Sequence, residues 1–398
     1  MTIHTVREGE TVFHIARKYG VSPAKIIENN GLVNPDRLSV GQKLLILTPT
    51  RTYTVRGGDT LEKISRRFGV KERSILRANP YLSGVDATYP EEVLAIRYDA
   101  PTHGAAVLNG YYYDGCSRDR LMLALAHCSC ITVSAYKAEA GRLRRVFDDG
   151  EVVDTVRENG RAAIMRVYDP REYGELIESE DSYRADIVKT AKEKGYAGVA
   201  LGAYRAARNP LIKNFLFALK RDLLGEGMHL FYEYDGEGCE DGCEIADGCV
   251  LIYEKCAFDE IPSFEDGEKN FYTTFAERQD SSKAFLDLSP FAYAGGRCIT
   301  RAEADDIAYR MRSRIEYDPE RMICSFDYAS FGRGERGRTT VRYEAMENIK
   351  AKLDLAGELG FMGISFDIMR VPIEHLMMIS TSLISAWKLL LTLSSGRL

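Results

Sequence analysis

The stretch Gly195-Tyr196-Ala197-Gly198-Val199-Ala200-Leu201-Gly202-Ala203-Tyr204 decides how the chain is read. It is small, apolar and β-compatible, and a charged segment with helical spacing, 183–194, leads into it. A short apolar run without polar alternation is the pattern of a strand covered on both faces. Such a strand belongs to a parallel sheet packed between helices and ends in a loop.

Working outward, strand-like and helix-like segments alternate from Ala105 onward. Residues 106–113, 130–136, 162–168, 198–204, 229–234, 249–254, 284–289 and 362–366 read as strands. Helical stretches lie between most of them, for example 117–126 and 348–359. Eight such units over about 290 residues predict an α/β fold, a (β/α)8 barrel across 105–398. The interval before the last strand is too long for one helix. Ile315-Glu316-Tyr317, 324–328 and 339–343 read as short strands there, with 332–337 as a loop. A small α+β insertion is therefore expected at about 295–345, between strands seven and eight.

The 398 residues are 45% hydrophobic and 28% charged, with a net charge of −6. That balance is ordinary for a globular chain and lacks the basic stripe of a nucleic-acid binder. The most apolar segment, 376–393, is broken by Ser380, Thr381, Ser382, Ser385 and Lys388. It reads as a packed last helix and not as a membrane span. Residues 1–12 have neither the charged nor the apolar region of a secretory signal. Nine cysteines form no CxxC pair, and a reducing compartment with mostly buried thiols is the plain reading. Cys239, Cys243, Cys249 and Cys256 lie close enough in sequence for a metal or disulfide cluster, but their spacing matches no standard zinc pattern. No cofactor or metal is expected.

The N-terminal quarter is a repeat. His4-Thr5-Val6-Arg7-Glu8-Gly9-Glu10-Thr11 returns as Tyr53-Thr54-Val55-Arg56-Gly57-Gly58-Asp59-Thr60, an offset of 49 residues. Ile15-Ala16-Arg17-Lys18-Tyr19-Gly20-Val21 returns as Ile64-Ser65-Arg66-Arg67-Phe68-Gly69-Val70. Each unit, 1–49 and 50–99, reads strand, helix, helix, strand. The Gly-acid-Thr phrase is a turn and helix cap, Gly20 and Gly69 are left-handed helix ends, and Pro23 stands at a helix start. Val40-Gly41-Gln42-Lys43-Leu44 closes the first unit; Pro90-Glu91-Glu92-Val93-Leu94 closes the second with a different turn.

These units resemble the LysM module, which binds N-acetylglucosamine polymers such as peptidoglycan and chitin. The resemblance places glycan between two loops. In the first unit these are Gly9, Glu10, Thr11 and Val12 with Asn30, Gly31 and Leu32. In the second they are Gly58, Asp59, Thr60 and Leu61 with Asn79, Pro80 and Tyr81. The same glycines, threonines and asparagines also suit turns and caps alone.

The larger region resembles family-18 glycoside hydrolases of the spore cell-wall type. Asn109-Gly110-Tyr111-Tyr112 matches their first strand, and 131–136 followed by Gly141-Arg142-Leu143 matches the second. Asp247-Gly248-Cys249-Val250-Leu251-Ile252-Tyr253-Glu254 looks like strand six, and Phe361-Met362-Gly363-Ile364-Ser365 like strand eight. In that family the fourth strand carries D-G-x-D-x-D-x-E, whose final acid protonates the glycosidic oxygen while the substrate's acetamido group attacks. Here the acidic places hold Ala197, Ala200, Gly202 and Tyr204. The resemblance thus implies the scaffold without its acids, a degenerate barrel serving a binding or structural role in a spore or cell wall. Tyr253 falls at the position that holds the acetamido carbonyl. The alternative is an active N-acetylglucosaminidase with relocated acids, for which Glu233, Asp235, Glu254, Asp287 and Asp367 stand near strand ends. The implied partner is cell-wall glycan, with spore-coat proteins as further candidates, and neither nucleic acid nor membrane.

Overall fold

The computed structural model describes residues 1–82, 88–98, 105–139, 142–168, 180–202, 211–236, 240–253, 261–289, 292–332, 335–382 and 384–385. Its first two units are small βααβ bodies. The first comprises β1 (Thr2–Thr5), α1 (Val12–Tyr19), α2 (Pro23–Asn29) and β2 (Lys43–Ile46). The second comprises β3 (Arg51–Thr54), α3 (Leu61–Phe68), α4 (Glu72–Ala78) and β4 (Val93–Arg97). In each, two antiparallel strands pair, β1 with β2 and β3 with β4.

Local chemistry accounts for these elements. Thr11 and Thr60 cap α1 and α3, accepting hydrogen bonds from the backbone N–H of His14 and Lys63. Gly20 and Gly69 end the same helices with left-handed backbone. Ile15, Ile26 and Leu44 fill the first small core, and Ile64, Ile75 and Leu94 fill the second. The closing turns share one hydrogen-bond pattern despite their different residues. Gly41 N–H donates to Val6 and Glu91 N–H to Val55.

The large region is a closed parallel barrel. Its strands are β5 (Ala105–Tyr112), β6 (Cys130–Glu139), β8 (Ala162–Tyr168), β9 (Gly198–Gly202), β10 (His229–Tyr234), β11 (Gly248–Leu251), β12 (Ala284–Asp287) and β18 (Gly363–Asp367). β7 (Arg142–Arg145) is an antiparallel hairpin arm on β6. The order runs β5-β18-β12-β11-β10-β9-β8-β6, and β5 pairs with β6 to close the ring. Alternate side chains fill the lumen, among them Val107, Ile164, Ala200, Phe231, Val250 and Phe285. The other face packs against helices α5 (Arg118–His127), α6 (Gly150–Glu158), α7 (Glu180–Lys194), α8 (Leu211–Gly225), α9 (Glu240–Ile245) and α10 (Asn270–Arg278). All eight strands were legible, and the fourth ends among described residues at Gly202.

Between β12 and β18 lies the expected insertion. β13 (Ala292–Ala294), β14 (Arg297–Cys298), β15 (Glu316–Asp318), β16 (Ile323–Gly332) and β17 (Glu335–Glu344) form an antiparallel sheet with its own core, covered by α11 (Arg301–Met311). α12 (Met346–Glu358) leads back into the barrel. At its base Lys352 Nζ bridges Glu268 and Glu344 at 2.6 and 2.7 Å, all three buried. A buried cation held by two carboxylates fixes the insertion's orientation, since losing either partner would leave uncompensated charge.

The chain's last described helix, α13 (Ile373–Ser382), takes only part of the segment expected to be helical; Ile384–Ser385 instead pair as a short parallel strand with β5, and 383 and 386–398 lie outside the described residues. The reduced-thiol reading needs correction. Cys243 and Cys249, brought together by the α9–β11 connection, are joined by a disulfide. Cys239 and Cys256 lie outside the described residues. Cys116, Cys128, Cys130 and Cys324 are free and buried, as expected, and Cys298 is free but exposed.

Candidate functional site

Two places merit attention as sites: the carboxyl end of the barrel and the loops of the N-terminal units. In a barrel of this class the catalytic groups stand at the C-terminal strand ends. There the strand alternation brings Arg166, Gly202, Glu233, Asp287 and Asp367 onto the inner face.

Arg166 on β8 and Glu233 on β10 form a two-pronged ion pair across β9. Nε donates to Oε1 and Nη2 to Oε2, both at 2.7 Å, and Nη1 donates to Ser134 Oγ at 3.1 Å. Glu233 is fully buried, and the guanidinium stands over the rings of Tyr111 and Tyr168 at 5.7 and 5.3 Å. Gly202 lies under the pair. A Cβ built there would sit 2.8 Å from Glu233 Oε2 and 3.2 Å from Arg166 Nη2. The absence of a side chain at 202 and the presence of the pair are thus one arrangement. An aspartate at 202 would collide with the pair and set two carboxylates side by side. Ala200 is buried in the lumen, and Ala197 packs partly buried against the same cluster. Tyr204 and Glu254 lie outside the described residues.

Asp287 and Asp367 end neighbouring strands and share Ser289. The Ser289 hydroxyl donates to Asp287 Oδ1 at 2.8 Å and accepts from the Asp367 N–H at 3.2 Å. Burial lifts the Asp287 carboxyl to about 7, against the hydrogen bonds from Ser289. Burial also raises Asp367, opposed by the Met369 N–H on Oδ1 (2.8 Å) and by the charge of Arg370. Tyr113 lies within the field of Arg166, Glu233, Asp367 and Asp287, and burial raises its phenol above the ordinary value. A carboxyl lifted to about 7 has the acidity of a proton donor at neutral pH.

Tyr253 lies two residues beyond the carboxyl end of β11. It packs against the helix-side core, and its ring rests 5.5 Å from that of Phe271. There it lines a separate cleft of about 300 Å³ with Tyr234 and Asn270. Arg166, which sequence reading passed over, was detectable as a guanidinium inside an otherwise apolar strand. A buried charge of that kind requires a partner.

The loop residues of the two small units are mostly structural in their side chains. Asn30 donates to Ile26 and Leu45 carbonyls and accepts from Leu45 N–H, at 2.8, 2.9 and 2.6 Å. Asn79 repeats this with Ile75 and Ala95 and also receives Lys25 Nζ. Glu10 accepts from Arg7 N–H and pairs with His4, and Asp59 accepts from Arg56 N–H and Tyr53 OH. Val12 and Pro80 are buried, Leu61 and Leu32 pack against their small cores, and Tyr81 lies beneath Lys25 of the first unit. The side-chain amides of Asn30 and Asn79 are therefore occupied by backbone groups. Gly9, Thr11, Gly58 and Thr60 are exposed, with open space above both glycines. Exposed Phe13 stands beside the first of these loops. Gly31 faces the barrel, 3.0 Å by its would-be Cβ from Ile373.

The family model of the LysM domain matches residues 4–47 and 53–96, so the two units are LysM domains. A 51-residue stretch is 43% identical to the cortical fragment-lytic enzymes of Bacillus anthracis and Bacillus cereus. It is 13% of this chain and spans 12% of those proteins. The fold is similar to crystal structures of the spore cortex-lytic enzyme SleL. The Bacillus megaterium protein gives a TM-score of 0.73 at 21% identity, with 96% of this chain and 98% of that one covered. The Bacillus cereus protein gives 0.73 at 18%, with 97% and 99% covered. A chitinase from Chromobacterium violaceum matches at 0.61 and 16%, covering 70% of this chain and 99% of its own. At these identities the structural likeness establishes the fold: a (β/α)8 barrel behind two LysM domains. No helix among the described residues is long and apolar enough to cross a membrane.

Proposed function

We propose that the chain is a wall-glycan-binding protein. Its LysM domains hold N-acetylglucosamine-containing glycan of the peptidoglycan, spore-cortex or chitin type, and its barrel does not perform the hydrolysis its fold relatives are named for. The observation that carries this reading is Gly202, a bare inward position filled from both sides by the Arg166–Glu233 pair. Where the family-18 scheme needs a stabilising carboxylate, this barrel has a carboxylate already neutralised by a guanidinium. Removing a general acid typically forfeits about 10²–10⁴ in rate, and here the carboxylate before it is missing too. Association with spores follows the names of the relatives, and spore-coat proteins are candidate partners there.

The test is release of reducing ends from peptidoglycan, cortex fragments and chitin oligomers, beside retention on the same glycans. Retention without release is expected. Turnover by the wild type that disappears in Asp287→Asn overturns the binding-only reading.

One observation favours the second reading, an active N-acetylglucosaminidase with relocated acids. Asp287, lifted to about 7, has the acidity of a general acid at neutral pH and stands at a strand end. In that case activity would fall as pH rises through 7, because the protonated form would be the active one.

A further inference from the structure

The second LysM domain meets the barrel through two arginines that the first domain lacks. Arg73 and Arg77 stand one turn apart on one face of α4, where the repeat puts Ala24 and Glu28 in the first unit. Both reach the end of α5. The Ala126 carbonyl accepts from Arg73 Nε at 2.7 Å and from Arg77 Nε at 2.9 Å. The His127 carbonyl accepts from Arg73 Nη2 at 3.1 Å and from Arg77 Nη2 at 3.5 Å, and the Cys128 carbonyl also accepts from Arg73. Arg161, at the entry to β8, comes from the barrel side. Its Nε donates to the Leu125 carbonyl at 3.4 Å and its Nη1 to the Gly160 carbonyl at 3.1 Å. Three guanidiniums from two domains thus lie side by side, on the carbonyls of four consecutive residues.

The helix end does not balance this charge. A helix C-terminus carries about half a negative charge, against three unit charges here. Among the described residues none of the three arginines forms an ion pair. Burial lifts the Cys128 thiol to about 12, so it stays protonated, and burial with the two α4 arginines lowers His127 to about 3, so it stays neutral. Burial lowers Arg73 to about 9 and Arg77 to about 10, and the neighbouring guanidiniums add to both. Each guanidinium also keeps a free end. Arg73 Nη1, Arg77 Nη1 and Arg161 Nη2 make no hydrogen bond, and none of these atoms is closed off from solvent. Half-buried cations crowded together without a counter-charge favour an anion from outside.

We propose that Arg73, Arg77 and Arg161 bind a divalent phosphate group, free or as the monoester of a larger molecule, at the junction of the second LysM domain and the barrel. The surplus of roughly two and a half charges, three less the helix end, matches a dianion better than a single carboxylate. A phosphate also offers a separate oxygen to each guanidinium, whereas a carboxylate fills one fork. The bound anion would fasten the second domain to the barrel, because two of its three holders belong to α4 and the third to the barrel. The site does not depend on the glycan-binding reading above.

The test is calorimetry of the full chain at about pH 8, where phosphate is divalent, in chloride buffer of fixed ionic strength. The titrants are inorganic phosphate, N-acetylglucosamine 6-phosphate and acetate. The variants are Arg161→Gln and Arg77→Gln, with Arg118→Gln at the far, exposed end of α5 as control, and melting temperatures verify folding. Expected is one saturable phosphate site, weakened about tenfold or more by either variant, the size of one lost charged hydrogen bond, and unchanged by Arg118→Gln. Tighter binding of the sugar phosphate, lost in Arg161→Gln, supports the site and assigns it a monoester; tighter binding of inorganic phosphate, lost in the same variant, supports it as a free-ion site. No saturable binding of either phosphate by the wild type overturns the proposal, and so does unchanged affinity in folded Arg161→Gln. Acetate bound as tightly as phosphate overturns the divalent specificity.

Discussion

The closing turn of the first LysM domain carries Gly41, and the matching turn of the second carries Glu91. Both residues take left-handed backbone, φ 89° and 71°, and both donate to the residue just after the first strand of their unit, Val6 and Val55. The difference lies outside the modules. A Cβ on Gly41 would sit 1.9 Å from the Ile315 carbonyl oxygen of the insertion, while Glu91 is exposed to solvent. The second domain docks elsewhere, through Arg73 and Arg77 on α4. Their guanidiniums donate to the carbonyls that end α5, Ala126 among them at 2.7 and 2.9 Å. Two copies of one fold have thus been fastened to a barrel by different faces. The first has its closing turn and second loop covered, where Gly41 meets Ile315 and Gly31 meets Ile373; the second keeps its closing turn exposed.

This contrast can be broken most forcefully at the covered turn. Gly41→Glu gives the first domain the second domain's residue. Left-handed strain of about 1–2 kcal/mol adds to about 1–3 kcal/mol of overpacking against Ile315, so a loss of roughly 2–5 kcal/mol in denaturant unfolding is expected. Limited proteolysis should then cut near residue 49, releasing the domain. A loss under about 1 kcal/mol would mean that the docking is loose.

The buried asparagines come next. Asn30→Ala and Asn79→Ala each remove three hydrogen bonds to backbone, and each should destabilise by about 2–3 kcal/mol, the range for leaving buried groups unpaired. Asn79→Ala should be the worse of the two, because it also strands Lys25 Nζ from the neighbouring domain. Equal losses would mean that Lys25 finds Glu28 sufficient.

Acid should weaken both domains more gently. Burial raises Glu10, but the Arg7 N–H and His4 outweigh it, and its carboxyl lies below the ordinary value. The Tyr53 hydroxyl and Arg56 N–H lower Asp59. A group depressed in the fold contributes stability that is present above its unfolded value and lost as pH falls through the folded one. Unfolding midpoints should therefore decline below about pH 4. Carboxyl resonances of Glu10 and Asp59 that titrate at ordinary values would contradict this.

The smallest effect is expected at the open turn. Glu91→Gly relieves left-handed strain against a small gain in unfolded-chain freedom, for a net stabilisation of about 0.5 kcal/mol. A destabilisation would assign Glu91 a role in binding that its exposure alone does not suggest.

Much of the fold was legible because its determinants are local. The threonine caps, Gly20 and Gly69 at helix ends, Pro23 at a helix start and the apolar strands each announce themselves within a few residues. The candidate site was less so. Tyr253 was assigned by likeness to the acetamido position, and its packing against Phe271 depends on how the segment after β11 meets α10. Asn30 and Asn79 satisfy backbone groups, a role no side-chain inventory separates from sugar binding. The Cys243–Cys249 bond depends on how α9 meets β11.

By itself, the sequence determined two repeated modules, eight strands, an insertion and the lack of acids on the fourth strand. Each of these is written in short-range periodicity and residue type, which obey local sterics. Only the tertiary structure decided that Arg166 meets Glu233 across Gly202 and that Gly41 presses on Ile315. Those meetings join residues 67 and 274 positions apart. Closure of the barrel and docking of the first domain create them, and no local rule fixes how distant surfaces come together.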